Sequence, residues 1–292
     1  MSAPDGENSA TKIDSRATPE IAASKSFKIL KKTERFYDDG TIKTILLYQQ
    51  NGSLFSASSK HRYPSGSTVD PGHVQDKVLI PEESFCPEFA PGLTEAGHAQ
   101  LSISYVKKPN LVSFNALRPH AIADQVSREA EICEELCKSH HANVVAYWGC
   151  QLKNNLIVGL CFTKYDESLA SRVNPKHLNK EQFTVPDHYL RRKSKWIQGI
   201  EQGLKFLHSL GYAHNDVNPS NVMFKSSDDT PVIIDFDSCL RIGECISEVK
   251  RTYGWHDPQV TEASAKNDFH ALRELEIWLS KDTSRNYQFH GV

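Results

Sequence analysis

No stretch of this 292-residue chain is apolar for long enough to cross a bilayer, and its first residues hold no apolar core of the kind that marks a secretory leader. Membrane-spanning and secreted classes are therefore set aside. Neither sign of charge is in surplus: 34 Lys and Arg stand against 36 Asp and Glu, for a formal net charge of −2. No basic stripe is visible, which removes the footprint that sequence-independent binding to nucleic acid requires. A disulfide framework is missing too. Cys86, Cys133, Cys137, Cys150, Cys161, Cys239 and Cys245 are odd in number, scattered and often set in apolar runs, as reduced thiols are. The expectation is an intracellular chain, cytoplasmic or nuclear, with no nucleic-acid partner, long enough to bury a sizeable core as one two-lobed domain or two small ones.

The most informative segment is His214-Asn215-Asp216-Val217-Asn218-Pro219-Ser220-Asn221, followed by Val232-Ile233-Ile234-Asp235-Phe236-Asp237. A transferring phosphoryl group needs a carboxylate near the attacking hydroxyl, with an amide oxygen and a second carboxylate on Mg²⁺. Asp216, Asn221 and Asp235 are of those types, and the spacing from Asp216 to Asn221 lets one loop aim both into one cleft. From Tyr189 to Leu210, the residues Trp196, Ile197, Ile200, Leu204 and Leu207 recur at helical intervals, and Gly211 stops the helix. The runs 221–224 and 231–234, separated by polar residues 226–229, predict a hairpin, so that the two carboxylates flank it.

Four stretches are expected. Residues 1–25, rich in Ser, Ala, Thr and charge, predict a disordered tail. Residues 26–98 form a β-rich N-terminal extension: 27–30, 41–48 and 53–56 are strand candidates, with Asp38-Asp39-Gly40 and Asn51-Gly52 as turns. Its Pro- and Gly-rich part, 61–98, resists assignment. Residues 99–165 and 166–292 are the two remaining parts. In the first, Gln100–Val106 reads as a strand ending at Lys107, and Arg128–Lys138 as a helix. Cys133 and Cys137 share a face of that helix, with His140 and His141 just beyond. A zinc site there competes with the plainer reading of core cysteines, and no second Cys pair completes it.

The loop and the strand after it resemble the protein-kinase pattern H-R-D-L-x-x-x-N and D-F-G. Residues 100–280 as a whole resemble the protein-kinase-like superfamily, in particular the short atypical Ser/Thr kinase-like proteins of filamentous fungi. That resemblance implies an α+β, two-lobed fold with a β-rich small lobe that starts within 26–98 and fills 99–165, and a shortened helical large lobe over 166–292. It also implies ATP and Mg²⁺ as cofactors and a protein substrate. Asp216 would orient the acceptor hydroxyl, and Asn221 and Asp235 would hold Mg²⁺, with Asp237 either binding a second ion or facing solvent. Lys107 would hold phosphates and be held by Glu129, 22 residues on; Lys108 and Glu131 compete for those roles. Thr163, Lys164 and Tyr165, after the strand-like 156–162, would form the adenine-binding hinge. Arg251-Thr252-Tyr253-Gly254-Trp255 resembles the end of an activation segment. Asp268 would bond the catalytic-loop backbone, unless it is simply an acid in a first helical turn.

Several positions depart from the pattern. No Gly-x-Gly-x-x-Gly precedes Lys107, and the stretch Pro91-Gly92 to Gly97 is a loose substitute. Asn215 replaces the Arg that receives an activation-loop phosphate, Asn218 replaces a common Lys, and Asp237 replaces Gly. Three functions follow as expectations: transfer to protein Ser or Thr hydroxyls, transfer to a small molecule as in the choline and aminoglycoside phosphotransferases, and a catalytically weak pseudokinase that acts as a binding module.

Overall fold

The computed structural model describes residues 26–36, 39–64, 66–225, 227–280 and 286–289. The expected tail, 1–25, lies outside the described residues, as do Asp38 and Ser226 of the two expected turns. The chain divides into two compact units, Met1–Val78 and Leu79–Val292.

The first unit is built on β1 (Phe27–Phe36), β2 (Ile42–Gln50), β3 (Ser53–Ser59), β4 (Thr68–Val69) and β5 (Gln75–Ile80), in the sheet order β4-β1-β2-β3-β5. Asn51 and Gly52 both have positive φ, 51° and 83°, the backbone that a two-residue hairpin between β2 and β3 demands. The Phe27 and Tyr48 rings stack at 3.7 Å, in a small core with Ile29, Leu46, Ala57 and Val69.

In the second unit, α1 (His98–Ile103) precedes a three-stranded antiparallel sheet of β6 (Tyr105–Lys107), β7 (Tyr147–Lys153) and β8 (Leu156–Phe162), in the order β6-β8-β7. Between β6 and β7 comes α2 (Ala121–Cys137). Here the expected strand 100–106 is corrected. Leu101, Ile103 and Tyr105 alternate as a strand would, but the Leu101 and Ser104 amides donate to Gly97 and Gln100, so residues 98–103 coil into a helix that leaves Ile103 72 % exposed. Helix α2 also starts seven residues earlier than Arg128, because Ile122 and Val126 continue the buried face of Ala130, Cys133 and Leu136. On β8, a Cβ at Gly159 would meet Val106 at 2.6 Å and the Lys107 carbonyl at 3.1 Å; this glycine lets β6 lie close and sets Lys107 opposite Leu160.

The helical part follows as β9 (Glu167–Ser168), α3 (Leu169–Val173), α4 (Asp187–Ser209), β10 (Tyr212–Ala213), β11 (Val222–Phe224), β12 (Val232–Ile233), β13 (Leu240–Arg241) and α5 (Ala265–Trp278). Trp196, Ile200, Leu204 and Leu207 of α4 are all fully buried, the helical face expected from their spacing. Gly211, at φ +83°, ends the helix, with its amide donating to His208. Strands β11 and β12 form the expected hairpin, with β9 on its other side. The architecture is thus α+β, with a β-rich small lobe and a shortened helical lobe. Among the described residues no helix is long and apolar enough to cross a membrane.

Candidate active site

Lys107 stands at the end of β6, and its side chain is only 23 % exposed. Its ammonium donates to both carboxylate oxygens of Glu129 on α2, at 2.7 and 2.8 Å, and to Asp235 just after β12. Burial works against the charge on Lys107, but the carboxylates of Glu129, Asp235 and Asp237 outweigh it and hold the ammonium above the usual lysine range. Burial pushes the Glu129 carboxyl up to about 7, with Lys107 pulling the other way. Asp235 is partly buried, which alone would favour its neutral form; the Lys107 ammonium wins and holds its carboxyl below the ordinary range. Lys108 is not part of the group: it donates to Gln151, and Glu131 is exposed. Glu129 also accepts the Phe236 amide at 3.2 Å, tying α2 to the segment that carries Asp235.

That segment is bent. Asp235 has φ +69°, a left-handed backbone that is rare outside glycine, and it aims the carboxylate back toward β6. Asp237 lines one small pocket together with Lys107 and Glu129. It is partly buried, and accepts from Gln125 of α2 at 2.9 Å and from the Ser238 hydroxyl at 3.1 Å. Burial, together with Asp235 close by, raises its carboxyl.

The loop 214–221 is held from below by Asp268 in the first turn of α5. This fully buried carboxylate accepts the backbone amides of His214 and Asn215, each at 2.8 Å, and lies 2.8 Å from His208 Nε2. Of the two expectations for Asp268, the loop-bonding one is therefore the observed one. Asn215, at φ +62°, turns inward: its amide donates to the carbonyls of Ala213 and Ser238. Asn221 donates through Nδ2 to the Asp216 carboxylate at 3.1 Å and to its carbonyl at 3.0 Å, which turns the amide oxygen away from Asp216. Asn218 caps the turn at 219–221 by accepting from the Ser220 amide at 2.9 Å, and donates to the Thr252 hydroxyl at 3.1 Å. Thr252 in turn gives Asp216 its amide at 2.7 Å and its hydroxyl at 3.1 Å.

A cavity of about 340 Å³ opens between the Lys107–Asp235 pair and the expected hinge. Thr163, Lys164 and Tyr165 line one side, Lys107 and Asp235 the other, with Val145, Phe162, Met223 and Ile234 as apolar walls. Such a volume, with apolar walls and few charges, suits a purine with phosphates leading to the Lys107 ammonium. Asn221 and Asp235 offer an amide oxygen and a carboxylate, the sparse oxygen set that suits an ion completing its shell with phosphate and water. Among the described residues no group of three or more His, Cys, Asp or Glu stands ready for a metal. The zinc alternative finds no support there: Cys133 is 1 % exposed in the core, Cys137 faces outward, and the His141 ring stacks on Phe206 at 5.0 Å.

Sequence reasoning missed the contact of Thr252 with Asp216 and the apolar walls Val145, Met223 and Ile234. The first joins segments 36 residues apart, and nothing local announces it. The second had a signal, since Met223 and Ile234 lie on the hairpin that the carboxylates flank. The stretch 91–97 is corrected: it does not cover the cavity. The Ala96 and Cys150 amides exchange bonds with Cys150 and Thr94 carbonyls along β7, at the opposite edge of the sheet from β6, and Thr94 gives its amide and hydroxyl to Glu134 of α2.

Comparison with known proteins gives two findings. The model of the protein kinase domain family matches residues 103–278. The serine/threonine-protein kinase Tao of Drosophila melanogaster is 24 % identical over 195 residues, which cover 64 % of this chain and 17 % of the length of Tao.

Proposed function

The chain belongs to the protein kinase domain family, and from that premise we propose that it transfers a phosphoryl group from ATP, with Mg²⁺, to Ser or Thr hydroxyls of a protein inside the cell. One observation carries the reading: the Lys107 ammonium is gripped by Glu129 and Asp235, and both Lys107 and Asp235 line a purine-sized cavity. Lys107 is assigned to the phosphates, Glu129 to holding Lys107, and residues 163–165 to the adenine. Asn221 and Asp235 are assigned to the metal, with Asp237 as a further oxygen donor. Mg²⁺, when bound, would neutralise charge that develops on the phosphates. Asp216 is assigned to the acceptor hydroxyl, whose proton it would take at a carboxylate oxygen. Thr252, already on both of those oxygens, keeps the carboxylate from turning.

Asn218 keeps the hydrogen-bonding task of its position and not the charge. Losing one transition-state cation typically costs about a hundredfold in rate, so a slow enzyme is expected. The small-molecule reading is separated by acceptor. With ATP and Mg²⁺, the protein should label a Ser/Thr-containing protein mixture but not amino alcohols or aminoglycosides, and Asp216→Ala should lose the labelling. Labelling of the small acceptors alone would replace this reading with the second. Tight ATP binding with no transfer to either would leave the pseudokinase.

A further inference from the structure

Lys180 lies between α3 and α4, outside every motif considered so far, and is 8 % exposed. Its ammonium donates to the Glu274 carboxylate of α5, to the Gly254 carbonyl at 2.7 Å and to the Phe289 carbonyl at 2.8 Å. The rings of Trp255 and Tyr287 lie 4.7 and 4.3 Å from it. Glu274, fully buried, also accepts the Gln288 amide at 2.7 Å, and the Tyr287 hydroxyl donates back to the Lys180 carbonyl. A buried ammonium is tolerated only when its counter-charge and acceptors are fixed around it. Here they come from α5, from segment 286–289 and from the turn after Thr252, so one charge joins four pieces of chain.

The Gly254 carbonyl matters most. Gly254 has φ +77°, a left-handed turn residue, and the Trp255 amide closes that turn onto the Thr252 carbonyl at 3.1 Å. Two residues before the carbonyl that Lys180 holds is the amide that holds Asp216. The Trp255 ring is wedged edge-on against Trp278, which itself stacks on Phe183 at 4.3 Å, so the turn has a rigid backing. We infer that Lys180, clamped by Glu274, is a positioning residue that fixes the 252–255 turn and thereby presents Thr252 to Asp216. The effect on turnover rests on the role proposed for Asp216; the effect on the turn does not.

The test uses the full chain and the double variant Lys180→Met/Glu274→Leu, since replacing both members of a buried pair by apolar groups preserves packing where removing one strands a charge. Hydrogen exchange at the Thr252 and Trp255 amides should accelerate about tenfold or more, with β8 unchanged. In a kinase assay, kcat should fall about tenfold while KM for ATP stays within about twofold. Unchanged exchange at Thr252 and Trp255 overturns the inference, whatever happens to activity. Faster exchange in a protein that never transferred phosphate leaves the clamp standing and sinks the kinase reading instead. Should the double variant unfold, Glu274→Gln keeps the shape and the Gln288 contact. The same local acceleration is then expected, and exchange rising uniformly through α2, α4 and α5 overturns the clamp.

Discussion

Asn218 shows how a substitution can keep one task of a position and drop another. Its side chain caps a turn, steadies Thr252 and bonds the Asp216 carbonyl, all without charge. Asn218→Ala should therefore cost about 1 kcal/mol of stability through the lost cap, measured by chemical denaturation, and should lower turnover as well by freeing Thr252. Glu129 is the residue whose titration separates stability from activity. Its carboxyl sits near 7 in the folded chain, above its value of about 4.3 in an unfolded one. The folded state therefore takes up a proton first, and this group's contribution to stability grows as pH falls from 7 toward 4.5. Protonation also removes one of the charges that hold Lys107, so ATP affinity should weaken over the same range. Binding titrations and melting curves between pH 8 and 5 check the two opposed trends. Glu129→Gln should flatten both, and ATP affinity that holds level across that range in the unaltered protein would count against the assignment.

At the scale of elements, periodicity was informative where a face is buried along its whole length and misleading where it is not. Trp196, Ile200, Leu204 and Leu207 announced α4 because every one of them meets the core. Leu101 and Ile103 announced a strand that begins only at Tyr105, because six residues with local helical bonds can carry an alternating pattern on an exposed surface. The motif residues from His214 to Asp235 were legible for a third reason: their chemistry and spacing are constrained together. Lys180 and the Thr252 contact were illegible because their partners lie 36 to 109 residues away and carry no local pattern. Packing between elements adds demands that no window reveals. A Cβ on Gly203 of α4 would come within 2.8 Å of the Asn143 carbonyl and 2.9 Å of Ile233 on β12. Gly203→Ala should thus destabilise despite the better helix former, because overpacking of about 1–3 kcal/mol exceeds the gain in propensity of about 1 kcal/mol; a raised Tm would show that the hairpin yields.

For the molecule as a whole, every residue assigned to nucleotide, metal or acceptor lies in 79–292, as does the whole family match. A fragment beginning at Leu79 should therefore bind ATP with Mg²⁺ as the full chain does, measured by calorimetry; a fragment that folds but has lost this binding would show that residues before Leu79 supply part of the site. The small lobe in this unit has three strands, and the chain enters β6 from α1 with no glycine-rich turn. On the proposed assignment, Lys107, fixed by two carboxylates, would bear more of the phosphate binding than it would beneath a covering loop. The most direct test is the melting temperature with ATP, with and without Mg²⁺, for the unaltered chain and for Lys107→Met and Asp235→Ala. At ATP a hundredfold above Kd, stabilisation of about 2.7 kcal/mol should raise Tm by about 5–10 °C in the unaltered protein only when Mg²⁺ is present. Both variants should lose most of that rise, and a Tm that ATP and Mg²⁺ leave unmoved in the unaltered chain would contradict nucleotide binding in this cleft.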